Sequence, residues 1–144
     1  MNISEILEMW KEDSKVDRIE LGNAALHTQE LHSKYIDIYF YQRTQFLKAK
    51  EKYARLKMLR YEYWMGILPI EDLKENNWPP QPKKITKQEL EMYMDADPVL
   101  NEALMQMNLK QEKLNVLDQI LKTISQRGFQ INSAINWVKF TSGQ

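Results

Sequence analysis

The chain has 144 residues, the size of one ordinary domain, and 43% of them are hydrophobic, enough to build a core. Four glycines and five prolines are too few for a fold rich in tight turns, which argues against sandwiches and barrels and for an all-α protein. The formal net charge is zero, no cysteine is present to form a disulfide or a thiolate metal site, and there is no run of about 18 apolar residues to span a membrane.

The opening Met1-Asn2-Ile3-Ser4-Glu5 lacks a basic start followed by an apolar run, so it does not read as a signal peptide. Asn2 and Glu5 instead have the N-cap and N3 types of a capping box. Ile3, Ile6, Leu7 and Trp10 follow at helical spacing, predicting a short amphipathic helix that ends near Asp13-Ser14-Lys15. Asp17-Arg18-Ile19-Glu20 reads as a second start, with Asp17 as N-cap and Glu20 at N3. No proline follows before Pro69, and Ala24, Leu31, Tyr35, Ile38, Gln42, Gln45, Ala49, Leu56 and Tyr63 recur at three- to four-residue spacings. The pattern predicts one helix from Asp17 to Trp64, roughly 70 Å long. A domain of this size cannot cover both ends of such a rod, so another chain must pack on it or part of it stays exposed.

Met65-Gly66 ends that helix. Gly66-Ile67-Leu68-Pro69 and Asn76-Asn77-Trp78-Pro79-Pro80-Gln81-Pro82 predict one loop, because proline removes donors and disfavours helix before it. Thr86-Lys87-Gln88-Glu89 is a capping box, and Asp97-Pro98 places a cap before a proline at N1. From Pro98, Leu100, Met107, Leu114 and Leu121 share one heptad position. Ala103, Lys110, Leu117 and Ile124 share another, interrupted by Lys110, which makes a coiled-coil or bundle seam. Arg127-Gly128 predicts a stop, and Ile131, Ala134, Ile135 and Val138 a short last helix capped by Asn132 or Ser133. This divides the chain into N-terminal helices (1–66), a proline-containing linker (67–86) and a C-terminal helical oligomerisation region (87–144).

The neutral total conceals segregation. Tyr41 to Arg60 carries seven Lys/Arg against Glu51 alone, whereas Gln88 to Leu109 carries five acids and no base. Arg43, Lys50 and Lys57 recur every seven residues, with Lys48, Lys52 and Arg55 on a neighbouring face. Such a flank neutralises phosphates and releases counterions, and Tyr53, Tyr61, Tyr63 and Trp64 could stack on bases. The competing reading is a solvated helix face whose cations pair with the acids of 88–109. Tyr35, Tyr39, Phe40, Tyr41 and Phe46 cannot all point one way on a helix and read as core or protomer contacts. His27 and His32, five apart with no third ligand nearby, are poor zinc ligands and read as surface or interface residues. Asp95 and Asp97 precede Pro98 and read as capping residues rather than a carboxylate pair for metal or acid–base work. Ser125 and Ser133 lack a base partner, and there is no glycine-rich phosphate loop. No catalytic, metal or cofactor site is expected.

These pieces, in this order, resemble the UvsY family of tailed-phage recombination mediators. The most distinctive match is Gln126-Arg127-Gly128-Phe129-Gln130-Ile131, continuing to Phe140 and Gly143. Leu31-His32-Ser33-Lys34-Tyr35-Ile36 is similar to a serine-lysine-aromatic stretch of the family. Leu56-Lys57-Met58-Leu59-Arg60-Tyr61-Glu62-Tyr63-Trp64-Met65-Gly66 resembles its basic DNA-binding motif with the aromatic pair and glycine that follow. Asp95-Ala96-Asp97 matches the acidic lead into its C-terminal helix. One departure stands out: the family lysine lies two residues before the arginine, where this chain has Met58. Lys57 is displaced by about 100° around the helix and reaches the same phosphate only by a one-residue shift or along its stem.

The resemblance implies a non-enzymatic, all-α protein, with the long helix and C-terminal helices packed in a helical-bundle homo-oligomer, a hexameric or heptameric ring. It implies binding to single-stranded DNA, to a RecA-like recombinase and to a single-strand DNA-binding protein, in the cytoplasm of an infected bacterium. The family motif and the helix spacing together nominate Lys48, Lys50, Lys52, Arg55, Lys57, Arg60, Tyr63 and Trp64 for DNA. Leu100, Leu104, Met107, Leu114, Leu117, Leu121, Ile124, Phe129 and Ile131 are nominated for oligomerisation. The alternative function is a structural helical-bundle adaptor without nucleic-acid binding.

Overall fold

The computed structural model describes residues 1–15 and 21–143, and among these every regular element is an α-helix. In chain order they are α1 (Ile3–Asp13), α2 (Leu21–Met65), α3 (Ile70–Asn76), α4 (Lys87–Asp95) and α5 (Pro98–Thr141). The start expected at Asp17–Glu20 lies outside the described residues.

Local chemistry accounts for most of the boundaries. The Asn2 carboxamide accepts from the Glu5 N–H at 2.8 Å, and the Glu5 carboxylate accepts from the Asn2 N–H at 3.1 Å, the reciprocal capping box that starts α1. Gly66 ends α2 with φ of 75°, and two bonds close the turn: Gly66 N–H to the Tyr63 carbonyl and Ile67 N–H to the Glu62 carbonyl. This is a Schellman stop, which needs a residue without a Cβ penalty in the left-handed region. Thr86 Oγ1 accepts from the Glu89 N–H at the start of α4, and Asp97 Oδ1 accepts from the Val99 N–H at the start of α5.

Two boundaries differ from the sequence reading. The 67–86 segment is not one loop, because α3 forms inside it. Acidic Glu71 and Asp72 lie in the first turn of α3, and Asn77 terminates it in the left-handed region with φ of 56°. The Asn77 and Trp78 N–H groups then bond the Lys74 and Leu73 carbonyls, a second Schellman stop, and Trp78 packs against Arg60 and Tyr63 of α2. The break expected at Arg127-Gly128 is also absent: α5 runs through Gly128 to Thr141. One glycine in a helix interior costs only about 1 kcal/mol. Burial of Ile131 one turn beyond it outweighs that cost.

The residues form two compact units, Met1–Thr44 with Lys110–Gln144 and Gln45–Leu109, so α2 and α5 each contribute to both. These units do not coincide with a division at residues 66 and 86. In the first unit Ile6, Leu31, Tyr35, Leu117, Ile120 and Ile124 make a continuous core, flanked by Met9, Trp10, Ile38, Tyr39, Val116 and Leu121. Trp10 meets Tyr35 edge-on at 5.5 Å between centroids. The Tyr35 hydroxyl donates to Asp13 Oδ2 at 3.0 Å, and Lys34 Nζ reaches the same oxygen at 2.6 Å. Burial, then that hydrogen bond and charge, raise the Tyr35 pKa above its ordinary value.

The heptad seam requires a correction. Leu114, Leu117, Ile124 and Ile131 are buried in the first unit, Leu100 is buried in the second, and Leu121 packs against the core cluster. A seven-residue repeat registers a buried helix face without saying which chain covers it. Here the covering helices belong to the same chain. Leu104 and Met107 are half-buried. Of the nominated oligomerisation residues only Phe129 is openly exposed, at 76%, together with Trp137 and Phe140, which the heptad did not include.

Candidate nucleic-acid interface

Within the Gln45–Leu109 unit, α2 presents Lys48, Lys50, Lys52, Arg55 and Lys57 to solvent. Arg55 pairs with Glu51 one turn away at 2.5 Å, an exposed contact that competes weakly with an incoming polyanion. Lys48, Lys50, Lys52 and Lys57 form no ion pair among the described residues. Residues seven apart drift by only about 20° around a helix. Lys50, Lys57 and Trp64 therefore stand nearly in line, and the lysines seven residues apart sit roughly 10 Å from each other along the axis.

Arg60 departs from this pattern, correcting its nomination as a solvent-facing phosphate contact. It is 5% exposed, and Asp97 opposite it is fully buried. Arg60 Nε donates to Asp97 Oδ2 at 2.6 Å and Nη2 donates to Oδ1 at 3.1 Å, a bidentate fork. The guanidinium lies against three rings, with centroids 4.2 Å (Tyr63), 4.6 Å (Trp78) and 5.4 Å (Trp64) away. Asp97 has two further donors, Trp64 Nε1 at 3.0 Å and the Val99 N–H at 3.0 Å. The carboxylate thus accepts from four groups, which is what a buried charge requires. It joins the end of α2 to the start of α5.

The two nominated aromatic residues serve the same assembly. Tyr63 is buried and donates its hydroxyl to the Pro79 carbonyl at 2.8 Å. Trp64 is half-buried, spends its indole N–H on Asp97 and packs against Tyr93 at 5.2 Å. Both rings are thus engaged in the protein's own packing. Pairing of basic-helix cations with the acids of 88–109 thus occurs at Arg60 and leaves the four lysines open.

Sequence reasoning assigned Asp97 only a capping role and gave Trp78 none. Both have a signal in the chain. Asp97 is the acid nearest a helix start in the base-free stretch, and Asn77 before Trp78 is the residue type that tolerates the left-handed turn. The proline-rich segment also ends in Lys83, Lys84 and Lys87, all exposed, which the count over 41–60 passed by. Among the described residues no group of three His, Cys, Asp or Glu side chains could hold a metal ion. No helix there is long and apolar enough to cross a membrane.

An all-α chain that leaves the lysines of one helix unpaired among the described residues, while Asp97 is taken up by Arg60, has the character of a polyanion-binding protein. Residues 9–144 match the model of the family described as "Recombination, repair and ssDNA binding protein UvsY", and this chain belongs to that family. No curated protein matches it. Three crystal structures of the bacteriophage T4 recombination mediator protein UvsY share its fold. The lattice type II form has a TM-score of 0.84 at 19% identity, covering 99% of this chain and 98% of that one. Lattice type IV gives 0.83 at 18% identity, over 97% and 99%. Lattice type I gives 0.77 at 18% identity, over 95% and 98%.

Proposed function

We propose that this chain is a recombination mediator that binds single-stranded DNA through the exposed lysines of α2 between Lys48 and Lys57 and helps a RecA-like recombinase load onto DNA covered by single-strand binding protein. The observation that carries the reading is the set of four exposed lysines without carboxylate partners among the described residues, in a member of a single-strand-binding family. Lys57 stands in for the family lysine displaced by Met58, and Arg60 acts from within, fixing the helix that carries the lysines.

The work is binding rather than bond chemistry. Phosphate contacts hold the strand with little dependence on sequence. Protomers assemble into a homo-oligomeric ring, so that each adds a cationic face and later contacts become intramolecular. With the heptad leucines occupied internally, Phe129, Trp137 and Phe140 remain to join protomers. The site of action is the cytoplasm of the infected host.

The test is binding of a labelled oligothymidine across a salt series. Lys50 and Lys57 share one side of α2 and Lys48, Lys52 and Arg55 the other, so a strand lying along one side meets two or three cations, a slope of log K against log salt of about −1.4 to −2.1 per engaged protomer at about 0.7 per phosphate. Lys50→Gln with Lys57→Gln lowers it by about 1.4. A helical-bundle adaptor shows no binding to the oligonucleotide even in dilute buffer, and that result would refute the proposal.

A further inference from the structure

We propose a second phosphate-binding patch, made of Lys83, Lys84 and Lys87, that extends the α2 lysine face around the Trp64 end of the helix. The inference rests on the single-stranded DNA reading and adds to it a contact surface outside the basic helix.

The patch is charged and unsatisfied. From Asn76 to Gln88 the chain carries these three lysines and no acid. All three are exposed, and none forms an ion pair among the described residues. They gather at the start of α4, where the helix dipole favours acids and disfavours lysine. Three cations collected against that field, with only Glu89 in the first turn to offset them, leave a strong local preference for an anion.

The patch is also held in place. Trp78 packs on the Arg60 guanidinium and meets the Tyr63 ring at 5.7 Å, and Tyr63 bonds the Pro79 carbonyl. Gln81 closes the loop: its Nε2 donates to the Trp64 carbonyl at 3.1 Å and to the Lys83 carbonyl at 2.7 Å, while its Oε1 accepts from the Lys83 N–H. Pro79, Pro80 and Pro82 restrict the backbone between these anchors. Lys83 therefore leaves a fixed loop, with Nζ 5.9 Å from the centroid of Tyr93, the ring that packs on Trp64. A pre-ordered loop gives up less freedom on binding than a mobile lysine-rich tail.

Position selects the ligand. Trp64 lies in line with Lys50 and Lys57, and it is the residue on which the Gln81–Lys83 loop docks. A strand following the lysine row toward the C-terminal end of α2 meets the loop lysines next. That continuity favours a flexible polyanion such as single-stranded DNA over an acidic protein segment recognised at the loop alone.

The experiment compares wild type, K83Q/K84Q/K87Q, K83R/K84R/K87R and K50Q/K57Q by anisotropy of labelled oligothymidine over a salt series. Circular dichroism confirms helicity, since the changed side chains are exposed. The glutamine triple variant is expected to have a slope shallower by about 2 for each protomer the strand engages, three contacts at about 0.7 each. The arginine variant is expected to keep the wild-type slope. A wild-type slope in the glutamine triple variant, with the K50Q/K57Q slope reduced, overturns the second patch and leaves the α2 reading standing. Absence of oligonucleotide binding by wild type overturns both. Binding of polyglutamate by wild type, lost in the glutamine triple variant while its DNA slope is unchanged, overturns the proposal in favour of an acidic protein partner.

Discussion

Removing Arg60 separates a lock from a ligand contact. Arg60→Ala deletes two of the four donors on a carboxylate that has no solvent exposure, leaving Trp64 Nε1 and the Val99 N–H to hold the charge. Breaking one side of a buried ion pair costs about 3–5 kcal/mol. The total stability of a domain is only about 5–15 kcal/mol. The lost side chain also leaves a gap among Tyr63, Trp64 and Trp78, which adds to the loss rather than relieving it. Amide exchange in α4 and the 77–83 loop is expected to accelerate by roughly 10²–10⁴-fold, because these segments are tied to α2 through the same cluster. Asp97→Ala is expected to cost at least as much, since it strands a guanidinium and removes the α5 cap, itself worth about 1 kcal/mol. The double variant should lose less than the sum of the two, with a coupling of about 1–3 kcal/mol in urea melts. DNA affinity falls in Arg60→Ala, but through disorder of the surface that carries the lysines, so the salt slope of the residual binding holds. An Arg60→Ala protein with wild-type stability and a salt slope shallower by about 0.7 would refute this reasoning and make Arg60 a direct phosphate contact.

The other predictions concern local features. Gly128→Ala is expected to stabilise by about 0.5–1 kcal/mol, because Gly128 is helical and an added Cβ meets nothing within 4 Å; a destabilised variant would mean that α5 bends there. Gly66→Ala, equally free of contacts but at φ of 75°, is expected to destabilise by about 1 kcal/mol in the same thermal melts. Tyr35→Phe is expected to lose about 1 kcal/mol near neutral pH with the Asp13 hydrogen bond. The raised folded pKa of Tyr35 means its contribution is complete below the unfolded value of 10.0 and is lost as pH rises through the folded one. The gap between wild type and Tyr35→Phe should therefore narrow in urea melts above about pH 10. Trp137→Ala with Phe140→Ala is expected to lower the mass seen by light scattering, whereas unchanged assembly would place the protomer contact elsewhere.

The sequence was most informative where one residue decides a boundary. Asn2 with Glu5, Gly66, Thr86 and Asp97 each act through their own side chain or φ, so local chemistry sufficed. It failed at α3 because Pro69 and Asn76-Asn77 are loop-type residues that also serve as a helix start and a Schellman stop. It failed at Gly128 because a glycine weakens a helix without ending it when Ile131 is buried beyond. The basic segment was legible as charge density over 41–60, and its lysines are exposed. The fate of Arg60 was not legible, since Lys57 and Arg60 look alike in a list of cations. What separates them is a carboxylate 37 residues away, delivered by a helix start whose direction no local rule fixes. The heptad misled for the same reason: Leu117 and Ile124 repeat as an oligomer seam would, while the partner surface is Ile6, Leu31 and Tyr35 of the same chain.

Burial of Arg60 removes one nominated phosphate contact and leaves the lysines to carry the reading. Arginine suits a planar, bidentate, ring-stacked site, and lysine keeps a compact hydrated charge on a flexible stem. The chain uses each accordingly: Arg60 is fixed by Asp97 and three rings, while Lys48, Lys50, Lys52 and Lys57 stay solvated and unpaired. A mediator must release its strand as well as hold it. Contacts made by solvated lysines are individually weak and exchange readily with counterions, so affinity can come from their number while the strand remains transferable. Had the cations of α2 all been forked to carboxylates or all rigid arginines, the face would have been either neutral or slow to let go. Arg60→Lys tests that division of labour. The ammonium cannot reproduce the fork to Asp97, so this charge-conserving change should destabilise the 45–109 unit, whereas Lys50→Arg and Lys57→Arg should leave stability unchanged and slow the dissociation of oligothymidine. Equal dissociation rates in the arginine variants would show that lysine was not needed for release.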